Sequence, residues 1–281
     1  MNMLRTFILS CLIPLVLMGQ DLPPDVIKSQ YLTPSGNQVW VYLPAEVKTE
    51  SLPCILIAAA GTRIFHGIGL ADGDMPEHIP YVKAGFAVVA YGLSGPWPKE
   101  ITEASVRKSI QDFIQSQGGV NDAVEALKLA KSKHAVIDTG RAFVAGHSSA
   151  GVLALNLAQK SSLFKGCIAY AAPADLEKRY GAKAMDEIET SVKGFKSFIL
   201  GYSPRRHIED IKCPVFIFHS TDDPEVPHDM IVDYVSAIKE KGKIVKSVEA
   251  LSGGHYDPMI KEGIPQAIEW MQGLLPPVPD K

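Results

Sequence analysis

A serine lies in a short turn of small residues, V-A-G-H-S-S-A-G at positions 144–151, between a predicted strand and a predicted helix. A nucleophilic serine on such a turn has a strained backbone, which requires small residues two positions before it and two positions after it. Ser148 meets this requirement with Gly146 and Ala150, although alanine stands where a second glycine is usual. For Ser149 the same spacing would place a histidine two positions earlier, where its side chain would clash. We therefore favour Ser148 as the nucleophile. Taken alone, the turn could equally serve only to join the strand to the helix.

Two further groups suited to acid–base chemistry follow later predicted strands. Asp222 and Asp223 come after the apolar run 215–219, and His255 follows two glycines after the last predicted strand. A carboxylate just past the carboxyl end of a parallel strand lies on the rim where open α/β sheets place their sites. Either aspartate alone could be a turn former, and a lone loop histidine is often incidental. The order Ser, Asp, His, each in a loop after a predicted strand, favours a catalytic triad.

Short apolar runs alternate with longer amphipathic stretches along most of the chain, which is typical of a sheet with crossover helices. A hairpin strand at 37–43 alternates in polarity and is expected at the sheet edge. Most of the other runs do not alternate, as expected for parallel strands covered on both faces. These runs are 55–60, 86–91, 142–145, 167–171, 215–219 and 245–250. The pattern predicts an α/β fold with a mostly parallel central sheet and helices on both faces.

Helical spacing of apolar residues marks the stretches between the strands. One long stretch, Glu103 to Lys133, is interrupted at Gly118-Gly119, and Asn121 is the expected N-cap of its second half. Further helices are predicted at 150–158, 228–241 and 264–275, with a helical stretch near 184–192. Cys54, Cys167 and Cys213 each begin an apolar run, which favours buried thiols over a disulfide or a reactive cysteine.

These features resemble the α/β-hydrolase superfamily, and more narrowly the catalytic module of the dienelactone hydrolase and prolyl oligopeptidase groups. The resemblance rests on the serine turn at 146–151, the stretch from Ser203-Pro204 to the D-P-E-V-P segment at 223–227, and Gly253-Gly254-His255. It covers roughly residues 31–275 and implies a small lid insertion at 173–212. In that family the aspartate of an Asp-x-x-Val-Pro element is the triad acid, which corresponds to Asp223 rather than Asp222.

The resemblance also implies a mechanism. Ser148 would attack an acyl carbon, His255 would act as general base, and Asp223 would orient the imidazole and stabilise its charged form. Two backbone N–H groups would bind the oxyanion: that of Ser149, at the start of a helix, and that of Thr62, with Gly61 as second choice. Relatives usually carry His-Gly where this chain has Ala60-Gly61, a difference that affects the wall of the acyl pocket rather than a backbone donor.

The favoured function is a serine hydrolase, most specifically a carboxylic-ester hydrolase that forms an acyl-enzyme. The first alternative is an exported peptidase of prolyl oligopeptidase type acting on short peptides, and the second is a non-catalytic binding protein with a hydrolase fold. We expect no β-propeller ahead of the catalytic module, and this expectation favours an ester hydrolase over a peptidase. The substrate, a small ester or short peptide, is expected to lie beneath two loops, 63–81 and the insertion.

The first 19 residues predict export. A basic Arg5 precedes an apolar run that is too short to span a bilayer, with cleavage expected after Gly19. Alternatives are a retained membrane anchor and lipidation at Cys11. Removal of the signal segment would leave residues 20–281 as a single α/β-hydrolase domain in the periplasm or outside the cell, without a stable membrane span.

Composition excludes several other classes of protein. The 281 residues are 46% hydrophobic and 21% charged, with a net charge of −3 and no Lys/Arg-rich run, so neither a disordered chain nor a nucleic-acid-binding protein is expected. No histidines show a paired ligand spacing, and we expect no metal and no cofactor. His147 is expected to serve packing, and His219 to be buried and hydrogen-bonded. Asp72-Gly73-Asp74 is expected to be a polar turn rather than a calcium site.

Overall fold

Eight strands form one sheet in the computed structural model, which describes residues 22–47, 49–59 and 69–276. The strands are β1 (Val26–Leu32), β2 (Gln38–Pro44), β3 (Leu52–Ala58), β4 (Ala87–Tyr91), β5 (Ile137–His147), β6 (Phe164–Tyr170), β7 (Val215–Ser220) and β8 (Val245–Ala250). Their spatial order is β1-β2-β4-β3-β5-β6-β7-β8. Only β1 with β2 and β2 with β4 pair antiparallel. The other five pairs are parallel, which confirms the predicted mostly parallel sheet with an antiparallel hairpin at its edge.

Helices cover both faces of this sheet. They are α1 (Met75–Lys83), α2 (Glu103–Gln115), α3 (Val120–Lys133), α4 (Ser149–Lys160), α5 (Leu176–Ser191), α6 (Phe195–Tyr202), α7 (His228–Glu240) and α8 (Ile264–Leu274). Successive strand residues point to opposite faces. One apolar cluster accordingly joins Leu56 and Val144 to α2, α3, α4 and α7, and the other joins Ile57 and Phe143 to α1 and α8. The expectation of helices on both faces is confirmed.

The central strands are buried on both faces, which explains why their sequences do not alternate. From Cys54 to Ala58 every residue of β3 is buried. Cys54, Cys167 and Cys213 are buried free thiols, as the sequence predicted. Burial raises the pKa of Cys54 and of Cys213 to about 12 and that of Cys167 well above its ordinary value, so none is poised as a thiolate.

One predicted helix boundary is wrong. Helix α3 begins at Val120 behind an N-cap at Gly119, not behind Asn121. Gly119 has φ of +92°, a conformation that glycine adopts without strain. A side chain there would also collide with Leu93 and Leu153. Close packing around the glycine therefore decides where the helix begins, and that packing cannot be deduced from capping preferences.

The insertion at 173–212 is partly integral to the core. It contains α5, α6 and a short 3₁₀ segment, Pro204–Asp210. The buried Tyr202 hydroxyl donates to the Gly118 carbonyl at 2.7 Å, and the Asn156 amide of α4 donates to the Tyr202 carbonyl at 2.8 Å. The C-terminal half of the insertion is thus fixed to the helical layer, whereas α5 is kinked at Gly181 and largely exposed.

Several predictions concern residues that the structure does not describe: the signal segment 1–19, Thr62 and Gly61, and positions 63–68 of the first substrate loop. The rest of that loop differs from expectation, since residues 75–81 belong to α1 and Met75 is buried. Asp72–Asp74 is a 3₁₀ turn in which an Asp74 carboxylate oxygen accepts from the Ala71 N–H at 2.9 Å. Within the described residues, no helix is both long and apolar enough to cross a membrane.

Candidate active site

Ser148 occupies a sharp, strained turn between β5 and α4. Its φ is +53° and its ψ −120°, a backbone conformation that residues with side chains rarely adopt. A Cβ atom at Gly146 would lie closer than 3.0 Å to the Ala150 carbonyl, so only glycine fits two positions before the serine. The Ser148 N–H donates to the Tyr170 carbonyl at 2.8 Å, which ties the turn to the end of β6. Strain held in place by surrounding contacts is characteristic of functional positions.

Asp223 and His255 form a direct pair at the same edge of the sheet. His255 Nδ1 lies 2.7 Å from Asp223 Oδ2, and the Asp223 side chain is only 1% exposed. The other carboxylate oxygen, Oδ1, accepts from the N–H groups of Glu225 and Val226 at 2.8 and 3.0 Å. Burial raises the pKa of Asp223, but the hydrogen bonds from His255 and these amides outweigh it and hold the pKa below its usual value. An ionised Asp223 therefore favours a proton on His255 Nδ1, which leaves Nε2 able to accept another.

Asp222 has a different task from its neighbour. Its carboxylate accepts from the Ser220 hydroxyl at 2.6 Å and from the N–H groups of Gly254 and Gly253 at 2.9 and 3.1 Å. The Ser220 hydroxyl and then these two amides lower the pKa of Asp222 to about 2. Asp222 thus fixes the backbone just before His255, while Asp223 contacts the imidazole itself.

His147 links the serine turn to the His255 loop. Its Nε2 lies 2.8 Å from the His255 carbonyl oxygen, and the centroids of the two rings are 4.4 Å apart. Burial, followed by the nearby His255, lowers the pKa of His147 to about 4, so the ring is neutral near pH 7 and donates from Nε2. Sequence reasoning assigned His147 to packing only, because no local pattern indicates this contact with a loop 108 residues away.

Ser148 and His255 are close in the fold without being hydrogen-bonded to each other in the described part of the chain. Ser148 follows directly after His147, whose ring packs on His255. The carboxyl ends of β5, β7 and β8 lie at one edge of the sheet and bring all three predicted residues to the same rim. Catalytic hydrogen bonds are often long in unliganded sites and shorten when substrate binds. Ser149, a predicted oxyanion donor, is the first residue of α4.

A buried acid lies beneath this turn, and sequence reasoning missed it. Glu77 of α1 is 4% exposed and lines a cavity of about 10 Å³ together with Gly146 and Tyr170. Burial, reinforced by Asp74 and opposed by a hydrogen bond from Tyr256, raises the pKa of Glu77 to about 8. Glu77 is therefore mostly protonated at neutral pH. Its position within an otherwise ordinary amphipathic helix gives no signal in the sequence.

His219 is buried as predicted, but its expected hydrogen bond is absent. Neither ring nitrogen has a hydrogen-bond partner among the described residues, and the ring stacks on His228 with centroids 4.9 Å apart. His219, His228 and Glu249 form the group of described residues whose ligating atoms lie close enough to hold a metal ion.

Comparison with solved structures identifies the fold. An acylaminoacyl peptidase from Pyrococcus horikoshii has a TM-score of 0.72 at 15% identity, over 92% of this chain and 43% of that one. A protein described as a dienelactone hydrolase from Klebsiella pneumoniae has a TM-score of 0.66 at 15% identity, over 88% of this chain and 98% of that one. A puromycin-hydrolysing peptidase from Mycobacterium tuberculosis has a TM-score of 0.66 at 19% identity, over 89% of this chain and 39% of that one. The fold is that of an α/β-hydrolase, and this chain spans about two-fifths of the length of those peptidases.

The family follows from the sequence itself. The prolyl oligopeptidase family matches residues 111–273, more than half of the 281-residue chain. The chain belongs to this family of serine hydrolases. No curated protein matches the chain by sequence.

Proposed function

We propose that the protein is a serine hydrolase whose substrates are carboxylic esters. Ser148 is the nucleophile, His255 is the general base, and Asp223 is the carboxylate that orients His255. The observation that carries this proposal is the strained Ser148, with φ of +53°, on the same sheet edge as an Asp223–His255 pair at 2.7 Å. A strained serine beside an oriented imidazole is the arrangement that nucleophilic acyl transfer requires.

The reaction would proceed through an acyl-enzyme. His255 Nε2 takes the proton of the Ser148 hydroxyl as its oxygen attacks the acyl carbon, while Asp223 stabilises the imidazolium. The Ser149 N–H at the start of α4, aided by the helix dipole, and the Thr62 N–H bind the oxyanion. His255 then donates its proton to the departing alcohol. A water molecule, deprotonated by His255, releases the acid and regenerates Ser148.

The preference for esters is supported by the structural match to the protein described as a dienelactone hydrolase, which shares the fold over 98% of its own length. Cleavage of short peptides is the second candidate, favoured by the family to which the chain belongs.

Covalent labelling tests the nucleophile directly, because only an activated serine reacts with a fluorophosphonate. The wild-type chain and Ser149→Ala are expected to take up one label, and Ser148→Ala none. Ser149→Ala is the matched control, since it removes a neighbouring hydroxyl while keeping the backbone N–H. Labelling that persists in Ser148→Ala would refute the assignment, and an unlabelled wild type would favour the non-catalytic binding protein.

A substrate panel then separates the two enzyme classes. Short-chain aryl esters should be hydrolysed by the wild type and not by Ser148→Ala, whereas aminoacyl amides should remain intact. Faster cleavage of the amides through Ser148 would replace the esterase proposal with the peptidase.

We also propose that the protein is exported through residues 1–19, which lie outside the described residues. The basic residue and short apolar run of this segment support the proposal. Intact-mass measurement of the protein recovered from periplasm and medium should show a chain beginning near residue 20. Full-length chain confined to the cytosol would contradict it.

A further inference from the structure

Three side chains with metal-binding groups meet behind the acid turn, the segment 221–227 that carries Asp223. His219 is near the end of β7 and lies directly beside Glu249 of β8 in the parallel register. His228 is the first residue of α7, immediately after the acid turn. One ligating atom from each residue lies within 4.8 Å of the others, and His228 Nε2 is 3.5 Å from a Glu249 carboxylate oxygen.

The buried member of this group lacks any polar partner in the described residues. His219 is 2% exposed, and neither of its ring nitrogens is hydrogen-bonded. Burying polar groups without partners is unfavourable, and native proteins rarely leave them so. The Nε2 atom of His228 also has no hydrogen bond, although it faces Glu249. A bound cation would coordinate one nitrogen of each imidazole and so provide a partner that the described residues do not supply.

We propose that His219, His228 and Glu249 form a binding site for a zinc ion. Two imidazoles and one carboxylate are a ligand set that zinc uses, with a fourth position for water. Zinc–nitrogen and zinc–oxygen bonds of about 2.0–2.2 Å place two ligand atoms roughly 3.3–3.6 Å apart. The 3.5 Å between His228 Nε2 and the Glu249 carboxylate oxygen already matches this spacing. The three ligand atoms lie within 4.8 Å of one another, so small side-chain rotations would bring all of them to it.

The ion would have access from solvent on one side. The side chains of His228 and Glu249 are 37% and 46% exposed, while His219 closes the inner side. The sequence carries no sign of the site because the ligands come from three elements, β7, α7 and β8, with no short spacing that links all three. The expectation of no metal rested on such spacing alone.

The site would join the two ends of the acid turn. His219 precedes the turn and His228 follows it, so one ion bound to both would restrict how the turn moves. Asp223 in that turn contacts His255, and Asp222 holds Gly253 and Gly254. The proposed ion takes no part in the chemistry at the serine, and its binding does not depend on the proposed hydrolase activity.

Zinc binding to the full chain, purified without a polyhistidine tag and freed of metal with a chelator, tests the proposal. Titration against a chromophoric zinc indicator should give one site per chain, and cobalt should give the visible absorption of a tetrahedral complex. Zinc should raise the thermal midpoint of unfolding, since a ligand that binds only the folded state stabilises it. Magnesium should neither compete with zinc for the site nor raise the thermal midpoint, because it prefers an octahedral shell of oxygen ligands.

Substitutions locate the site. His228→Ala and Glu249→Gln alter partly exposed side chains, and each should weaken zinc binding at least about tenfold and remove most of the thermal shift. His207→Ala is the matched control: this histidine is 36% exposed and lies 3.6 Å from the carboxylate of Asp210, outside the proposed site. It should bind zinc like the wild type. No stoichiometric binding, or binding unchanged in both His228→Ala and Glu249→Gln, would overturn the proposal whatever the hydrolase activity proves to be.

Discussion

The His147 ring donates a hydrogen bond of 2.8 Å to the backbone carbonyl of His255. This contact joins the residue before the proposed nucleophile to the proposed base, so one neutral imidazole ties the end of β5 to the loop that carries His255. The neutral form is favoured because burial lowers the pKa of His147 to about 4.

Removing this donor should loosen the His255 loop. His147→Phe keeps an aromatic ring but loses the hydrogen bond, whose net value of about 1 kcal/mol corresponds to a loss of roughly fivefold in rate. We expect kcat for an aryl ester to fall by that factor while KM changes little. His147→Gln, which retains a donor, should recover part of kcat. An equal loss in both variants would show that His147 acts through packing alone.

The two neighbouring aspartates should differ sharply in their effect on catalysis. Asp223→Asn removes the charge that orients His255, and a change of this kind lowers kcat by about 10⁴-fold in a serine triad. Asp222→Asn should have a much smaller effect, because an amide oxygen can still accept from the Gly254 N–H. Steady-state kinetics of both variants measure the difference. Losses of similar size would mean that Asp222 contributes to the chemistry.

Gly146 should not tolerate a side chain, whereas Gly201 should. A Cβ atom at Gly146 would collide with the backbone of Ala150, and we expect Gly146→Ala to lower the free energy of unfolding by about 3 kcal/mol. Gly201 lies within α6 with nothing within 4 Å of an added Cβ atom. Gly201→Ala should therefore raise the free energy of unfolding by up to about 1 kcal/mol. Urea denaturation of the two variants tests both directions.

Replacement of Glu77 should change how stability depends on pH. The folded state raises the pKa of Glu77 from 4.5 to about 8, so its contribution is most favourable below pH 4.5 and is lost as the pH rises toward 8. Glu77→Gln stays neutral, and its stability relative to the wild type should grow by up to roughly 1.4 kcal/mol for each pH unit in this window.

Denaturation at pH 5 and pH 8 measures this gain. Glu103→Gln on the exposed surface of α2 serves as the control for removing a carboxylate as such. A difference between Glu77→Gln and wild type that is the same at both pH values would contradict a buried, protonated Glu77.

The elements were predictable where local sequence determines them. The continuous apolar runs of β3, β4 and β7 indicated covered parallel strands, and the small residues around Ser148 indicated a tight turn. The order of motifs placed Asp223 and His255 on one rim, and the structure joins them, while their catalytic roles stay a prediction.

Features that depend on tertiary packing could not be deduced in this way. The His147 bond, the burial of Glu77 and the meeting of His219 with Glu249 all require knowledge of which strands and helices are neighbours. The start of α3 likewise depends on Leu93 and Leu153 packing around Gly119.

The positive φ of Ser148 also bears on whether this chain acts as an enzyme at all. Glycine adopts that conformation freely, so Ser148→Gly should make the protein more stable by up to about 1 kcal/mol while removing the hydroxyl. A protein in which this hydroxyl had no role would gain stability from this exchange and lose nothing. The less stable residue at this position therefore agrees with the proposal that the Ser148 hydroxyl has a function.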